Sequence, residues 1–290
     1  MTYRQRLFSY SILFFLTCSS VFFPGNAYCA DDPLVMGIFP RRSAKATLKF
    51  FTPFAKYLSE QLKRKVVLET TKDFQSFWEN VAKGRYDIVH YNQLHYIQSH
   101  KQFGYDVIAK NEEFGKSTLA GALVVRKDSG INKLSDLKGK KIVFGGGKKA
   151  MVAYIAATAL LRRAGLNDRD YVEEFAKNPP NATFSAYYRQ AAAGGTGDIG
   201  LSVPIVKNRI NVDDMKFLAI GEALPHLPWA VKDGTSPQLR QNIQHALLNL
   251  NNSKEGKAML KNAAMTGISA AVDKDFDICR HLIQEVLGSQ

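Results

Sequence analysis

Past its first thirty residues, the chain alternates short apolar runs with segments whose apolar residues recur at helical spacing. Leu34–Phe39 is a continuous apolar run ended by Pro40, the mark of a buried strand. Leu48, Phe51, Ala55, Leu58 and Leu62 fall on one face of a helix over Ala46–Leu62. Val66–Glu69 reads as a strand, and Phe74, Phe77 and Val81 mark a short helix behind Asp73, a suitable N-cap. Tyr86–Tyr91 reads as a strand and Asn92–His100 as a helix, with strands over Tyr105–Ala109 and Leu119–Val125.

The rhythm continues beyond. Ser135–Gly139 forms a capped helical turn, Lys141–Phe144 a strand, and Gly145-Gly146-Gly147 opens a long helix over Lys148–Ala164. Ala182–Ala193 is expected to be a helix and Asp198–Ser202 a strand, with Met215–Ile220 and Trp229–Lys232 extended. From Pro237 on, the pattern reads as three helices. Strands alternating with helices predict open, mostly parallel sheets with helices on both faces. So many strands fit two sheets better than one. The expected organisation is two α/β lobes, residues 31–122 with 225–290 and residues 123–224. The chain would cross near Gly121–Arg126 and return near Ile220–Leu227.

The first thirty residues follow another pattern. Arg4 and Arg6 precede an uncharged stretch from Leu7 to Phe23, followed by Pro24, Gly25 and small residues up to Asp31-Asp32. This is the layout of a secretory signal peptide over residues 1–30, with cleavage after Ala27 or after Cys29 or Ala30. The strongly apolar part is shorter than the roughly 20 residues of a spanning helix, which disfavours an uncleaved anchor. Export to the periplasm follows. Loss of Arg4 and Arg6 lowers the net charge from +13 to +11, since no acidic residue leaves with them. A basic exported protein meets anionic solutes or surfaces rather than nucleic acid. The lysines also lack the long basic stretch with interleaved aromatics of a nucleic-acid surface. Cys18 and Cys29 depart with the signal, so Cys279 has no intramolecular disulfide partner. Its spacing from Phe276 and Ile283 makes it a core residue.

Three places carry chemistry. Gly145-Gly146-Gly147-Lys148-Lys149 lies between a strand and a helix. Its glycines admit a ligand close to the backbone, and the helix start offers open N–H groups. Lysines there oppose the helix dipole, so Gly147, Lys148 and Lys149 are candidate anion contacts, solvated lysines being the alternative. This is not a phosphate-binding loop of the nucleotide-hydrolase type: Ile142 takes the first glycine position and Ala150 replaces the magnesium-binding hydroxyl. Arg41 and Arg42 follow the first strand, at the end where open α/β sheets bind ligands, and guanidinium suits oxyanions. Tyr91 and Asn92 end another strand at the same edge. His90, His95 and His100 are spaced by five and share no helix face, so no metal site is expected. No catalytic constellation stands out, and neither an enzyme activity nor a cofactor is expected.

Taken together, several segments resemble the phosphonate-binding type of periplasmic solute-binding proteins of ABC transporters. Gly37-Ile38-Phe39-Pro40 matches a strand motif of that family. Gly84-Arg85-Tyr86-Asp87, Val124–Lys141, Pro228-Trp229-Ala230-Val231 and Gly267–Phe276 match others, in order, across Leu34–Leu287. The resemblance implies a two-lobed type II periplasmic binding fold, α/β in each lobe. It also implies a monomer that closes on a small anion, such as a phosphonate, and delivers it to a membrane permease. A sensory relative that signals to a membrane histidine kinase shares this fold, and an exported enzyme on a two-domain α/β scaffold is a more distant reading. The chain departs from the family's pattern at two points. Phosphonate binders carry a hydroxyl-rich turn where this chain has Gly146–Ala150. The family's usual aromatic Gly-Pro turn is replaced by His90-Tyr91-Asn92-Gln93.

Overall fold

A computed structural model describes residues 32–288. The expected signal segment and its two cysteines lie outside the described residues. Two mixed sheets form the frame. The first holds β1 (Leu34–Ile38), β2 (Val66–Glu69), β3 (Ile88–His90), β4 (Tyr105–Glu112), β10 (Pro228–Lys232) and β11 (Gly267–Ala270) in the order β11-β4-β10-β3-β1-β2. The second holds β5 (Thr118–Arg126), β6 (Lys141–Gly145), β7 (Val172–Ala176), β8 (Ala193–Gly197) and β9 (Met215–Pro225) in the order β7-β6-β8-β5-β9.

Each sheet has a parallel trio, β2-β1-β3 or β7-β6-β8, and beside it an antiparallel strand, β10 or β5. That antiparallel strand is the first one the chain forms after crossing from the other sheet. The sheets are therefore mixed rather than mostly parallel. The outgoing crossing lies between Glu112 and Thr118, and the return between Pro225 and Pro228. The first crossing precedes the expected Gly121–Arg126, because β5 pairs with β9 along its whole length and belongs entirely to the second sheet.

Helices cover both sheets: α1 (Ala44–Leu62), α2 (Phe74–Ala82), α3 (Gln93–Phe103), α4 (Ala157–Arg163), α5 (Pro179–Tyr187), α6 (Pro204–Lys207), α7 (Pro237–Asn249), α8 (Lys254–Asn262) and α9 (Asp277–Leu287). Side-chain caps start several of them: Ser43, Asp73, Asn92, Asn178, Ser236 and Ser253 each accept from an amide of the first turn. Helix α9 packs between the lobes. Phe276 stacks edge-on against Tyr96 of α3, while Arg162 and Arg163 of α4 bond Glu285. Cys279 is fully buried in α9, and burial pushes its thiol up to about 12.

Several expectations fail locally, and the helix expected over Ala182–Ala193 is α5, which runs from Pro179 and ends at Tyr187. The expected Asp198–Ser202 strand is a turn; the strand is Ala193–Gly197, made almost wholly of small residues. A Cβ on Gly194 would lie 2.5 Å from the Ala182 carbonyl, and one on Gly195 2.5 Å from that of Ala153. Those glycines let helical backbone press directly on the sheet. Gly267–Ala270, read within a helical region, is an edge strand antiparallel to β4. β7 was not foreseen because this edge strand is polar and its apolar residues are solvent-facing, with Val172 and Phe175 both exposed.

Candidate functional site

The carboxyl ends of β1, β2 and β3 lead into the first turns of α1, α2 and α3, and in the second lobe the end of β6 leads into the glycine-lysine loop. The two edges meet at one point. Asn92 caps α3 by accepting from the His95 amide at 2.8 Å, and its Nδ2 donates to the Lys149 carbonyl at 3.3 Å. One side chain thus starts a helix in one lobe and touches the loop of the other.

The loop is built for close approach. Gly146 takes φ +102°, a conformation that disfavours side chains, and its N–H bonds the Ala176 carbonyl. Ala150 N–H closes a turn onto Gly147 O at 2.8 Å. The helix then begins at Met151, not at Lys148. Ala150 has no capping side chain, and its carbonyl accepts from both Tyr154 and Ile155, at 3.1 Å each, so the first turn over Met151–Ala156 is widened to a π-helix. Such wide turns recur at functional sites. Among the described residues, the amides of Gly147, Lys148 and Lys149 donate to no protein acceptor. Three free N–H groups in a short loop before a helix suit an oxyanion.

The sequence-selected cations do not converge on this loop. Lys148 pairs with Glu173 of β7 at 3.2 Å. Lys149 makes no ion pair among the described residues and is exposed. Arg41 bonds Glu113 at 3.0 Å, in the outgoing crossing. Arg42 donates to the Ala263 carbonyl at 3.1 Å and lies over the Phe50 ring. Burial lowers the pKa of Arg42, and neighbouring Arg41 adds to the shift. The cavity beside these arginines measures about 10 Å³, room for a water at most. Tyr91 is a correction. It is completely buried and its hydroxyl bonds Ser99 at 2.7 Å, so it is a core residue that no solute reaches. The strand's alternation decides this, since Tyr91 faces the core that Val89 also enters.

Two features escaped the sequence reading. The first is the pairing of the crossings. Glu113 stands in one and His226 in the other, with His226 Nε2 3.8 Å from the carboxylate. His226 Nδ1 accepts from the Leu227 amide at 2.8 Å, which places the ring proton on Nε2, toward Glu113. Burial lowers the pKa of His226 to about 4. Burial works against the Glu113 charge, but Arg41 and His226 outweigh it and hold its pKa below the usual value. The second feature is a polar knot under the first sheet's edge. His90 stacks on Trp229 at 4.4 Å and its Nδ1–H donates to Pro228 O at 3.0 Å, while Trp229 Nε1–H donates to Asn111 at 2.8 Å. Burial drops the pKa of His90 to about 3. Neither feature is visible in one dimension, because the partners lie between about 110 and 140 residues apart.

Comparison with known proteins gives the same architecture. A model of the periplasmic substrate-binding proteins of phosphonate ABC transporters matches residues 36–276. Among solved structures, the chain is similar to PhnD1 from Prochlorococcus marinus in complex with methylphosphonate, at TM-score 0.73 and 16% identity over 89% of this chain and 99% of that one. A Xanthomonas citri protein bound to chloride ion gives TM-score 0.76 at 16% identity, covering 88% and 98% of the respective chains. A binding component of an ABC phosphonate transporter from Pseudomonas aeruginosa gives 0.71 at 14% identity, covering 89% and 87%. At these identities the structural matches establish a shared fold.

Proposed function

Because this chain belongs to the family of periplasmic substrate-binding proteins of phosphonate ABC transporters, we propose that it captures a small oxyanion on the open amides of Gly147–Lys149. The observation that carries this reading is the joint one: three N–H groups and a Lys149 without a partner among the described residues, and Asn92 of the facing lobe within 3.3 Å of the same loop. Asn92 contributes from the first lobe, and an anion between loop and helix gains bonds from both sides. Arg41 is neutralised by Glu113 and Lys148 by Glu173, so the charge that meets the anion is that of Lys149. Binding closes the lobes about the paired crossings, and the closed form is presented to the membrane permease. The route to the periplasm is the signal peptide over residues 1–30.

A thermal-shift screen of phosphonates, sulfonates, phosphate and sulfate tests the reading. Ligand at a hundred times its Kd adds about 2.7 kcal/mol, which is a rise of several degrees for a chain of this size. Lys149→Ala and Arg41→Ala, shown to melt like the parent, are then titrated by calorimetry. A tenfold or greater loss in Lys149→Ala supports the site. Parent-like affinity in Lys149→Ala refutes it, whatever Arg41→Ala does. Small-angle scattering with the best ligand should show a smaller radius of gyration than without it.

A further inference from the structure

The lip of this junction is lined with rings rather than hydroxyls. Phe74, in the first turn of α2, is a large apolar side chain left 44% exposed at the carboxyl edge of the first sheet. It lies 6.1 Å from Phe39, at the end of β1, and 5.9 Å from the ring of His95. Trp78, one turn further along α2 and half-buried, lies 5.3 Å from the same His95 ring and is tilted 30° to it. His95 is in turn one position of helical repeat from Asn92, the residue that touches Lys149. The row Phe39–Phe74–His95–Trp78 thus lies on the first lobe, with His95 nearest to Asn92, where the glycine-lysine loop meets it.

His95 adds an independent observation. Its side chain is 3% exposed, yet its Nδ1 is buried with no hydrogen-bond partner among the described residues. Buried polar atoms of this kind are normally paired. Burial, with Lys149 close by, lowers its pKa to about 4, so the ring is neutral at ordinary pH. It brings no charge to the junction, and the work of holding an anion falls to the loop.

We propose that the solute is an oxyanion carrying a planar aromatic or heteroaromatic substituent, with the acid group on the Gly147–Lys149 amides and the ring on Phe74 and Trp78 beside His95. Phe74 is the ring of this row that stands largely exposed, with Trp78 half-buried beside it, and ring-on-ring packing gains over equal aliphatic area. This inference rests on the oxyanion reading above and narrows it to a substrate class.

The test compares methyl-, butyl- and phenylphosphonate, and the corresponding sulfonates, by calorimetry. The expected result is phenyl binding at least tenfold tighter than methyl and tighter than butyl in whichever acid series binds. Phe74→Ala, at an exposed position where no core cavity opens, should cut the phenyl-to-methyl ratio at least threefold. Trp78 supplies a second readout, because the other tryptophan, Trp229, is fully buried against His90. Phenyl ligand should change the intrinsic fluorescence of the parent and leave that of Trp78→Phe unaltered. Methyl ligands binding as tightly as phenyl, or butyl as tightly as phenyl, overturn the aromatic assignment and leave the oxyanion reading standing. Failure of every acid in both series overturns both.

Discussion

Asn92→Asp separates two jobs that Asn92 does with two different atoms. The capping oxygen survives the change, since Asp caps as well as Asn and its charge favours the helix start by about 0.3–1 kcal/mol. The donor to the Lys149 carbonyl, 3.3 Å away, is lost, at about 0.5–1.5 kcal/mol. Stability therefore stays within about 1 kcal/mol of the parent, a melting shift of roughly 2–4 °C or less. Binding behaves differently. A carboxylate about 5 Å from an anion on the loop is repelled by about 3 kcal/mol per unit charge at an effective dielectric of 20. Side-chain rotation and salt reduce that to about 2 kcal/mol, or roughly 30-fold in Kd. Asn92→Ala does the reverse. It loses cap and bridge together, about 2 kcal/mol, but adds no charge, so affinity falls only a few-fold. Calorimetry with the best oxyanion, alongside thermal melts, reads both. The reasoning is refuted if Asn92→Asp binds within threefold of the parent, for then the anion does not sit beside residue 92.

Other outcomes follow from the packing. Tyr91→Phe removes a buried bond to Ser99 and should cost about 1–2 kcal/mol in urea unfolding without altering ligand affinity; a loss of affinity would return Tyr91 to the cleft. Gly195→Ala should abolish soluble folding, because its Cβ would meet the Ala153 carbonyl at 2.5 Å. Gly130→Ala, at φ +73° in open space, should cost only about 1 kcal/mol. His90, His95 and His226 have pKa values lowered by burial to about 3, 4 and 4. The unfolded chain then binds more protons below pH 6.5, so their contribution is complete above 6.5 and is lost as pH falls toward 4. Each loses up to about 1.4 kcal/mol per pH unit, and melts between pH 7.5 and 4.5 should fall steeply; a flat profile refutes neutral burial.

The sequence was most legible where one face of an element is apolar at a clean period. Helices α1 and α2 and strands β1 and β3 follow directly from such patterns. It misled where packing replaces side chains with backbone contact, as in glycine-rich β8, and where an edge strand exposes its apolar residues, as in β7. In the candidate site, the loop and Asn92 were readable as strand-to-helix turns, because glycines, lysines and a cap residue mark such turns whatever surrounds them. Which cation stays free was not readable. Arg41, Arg42 and Lys148 are engaged by Glu113, Ala263 and Glu173, the nearest of which is 25 residues distant. The aromatic row was invisible for the same reason: α2 and α3 meet only after β3 has joined the sheet.

The position of β10 has a consequence for how the chain assembles as it emerges. The five-stranded sheet is drawn from one uninterrupted stretch, Thr118–Pro225, so all of its pairings can form as soon as that stretch is available. The six-stranded sheet cannot follow the same schedule. β10 lies between β3 and β4, pairing with both, and β11 pairs with the other side of β4, so until residue 228 arrives β1, β2 and β3 form a trio with an unfilled edge and β4 has no partner in its sheet. The first segment made is the last to be completed. A chain cut before Pro228 would keep its second lobe's strands but lose both neighbours of β4 and one of β3, leaving open strand edges, the state most prone to pair with other chains.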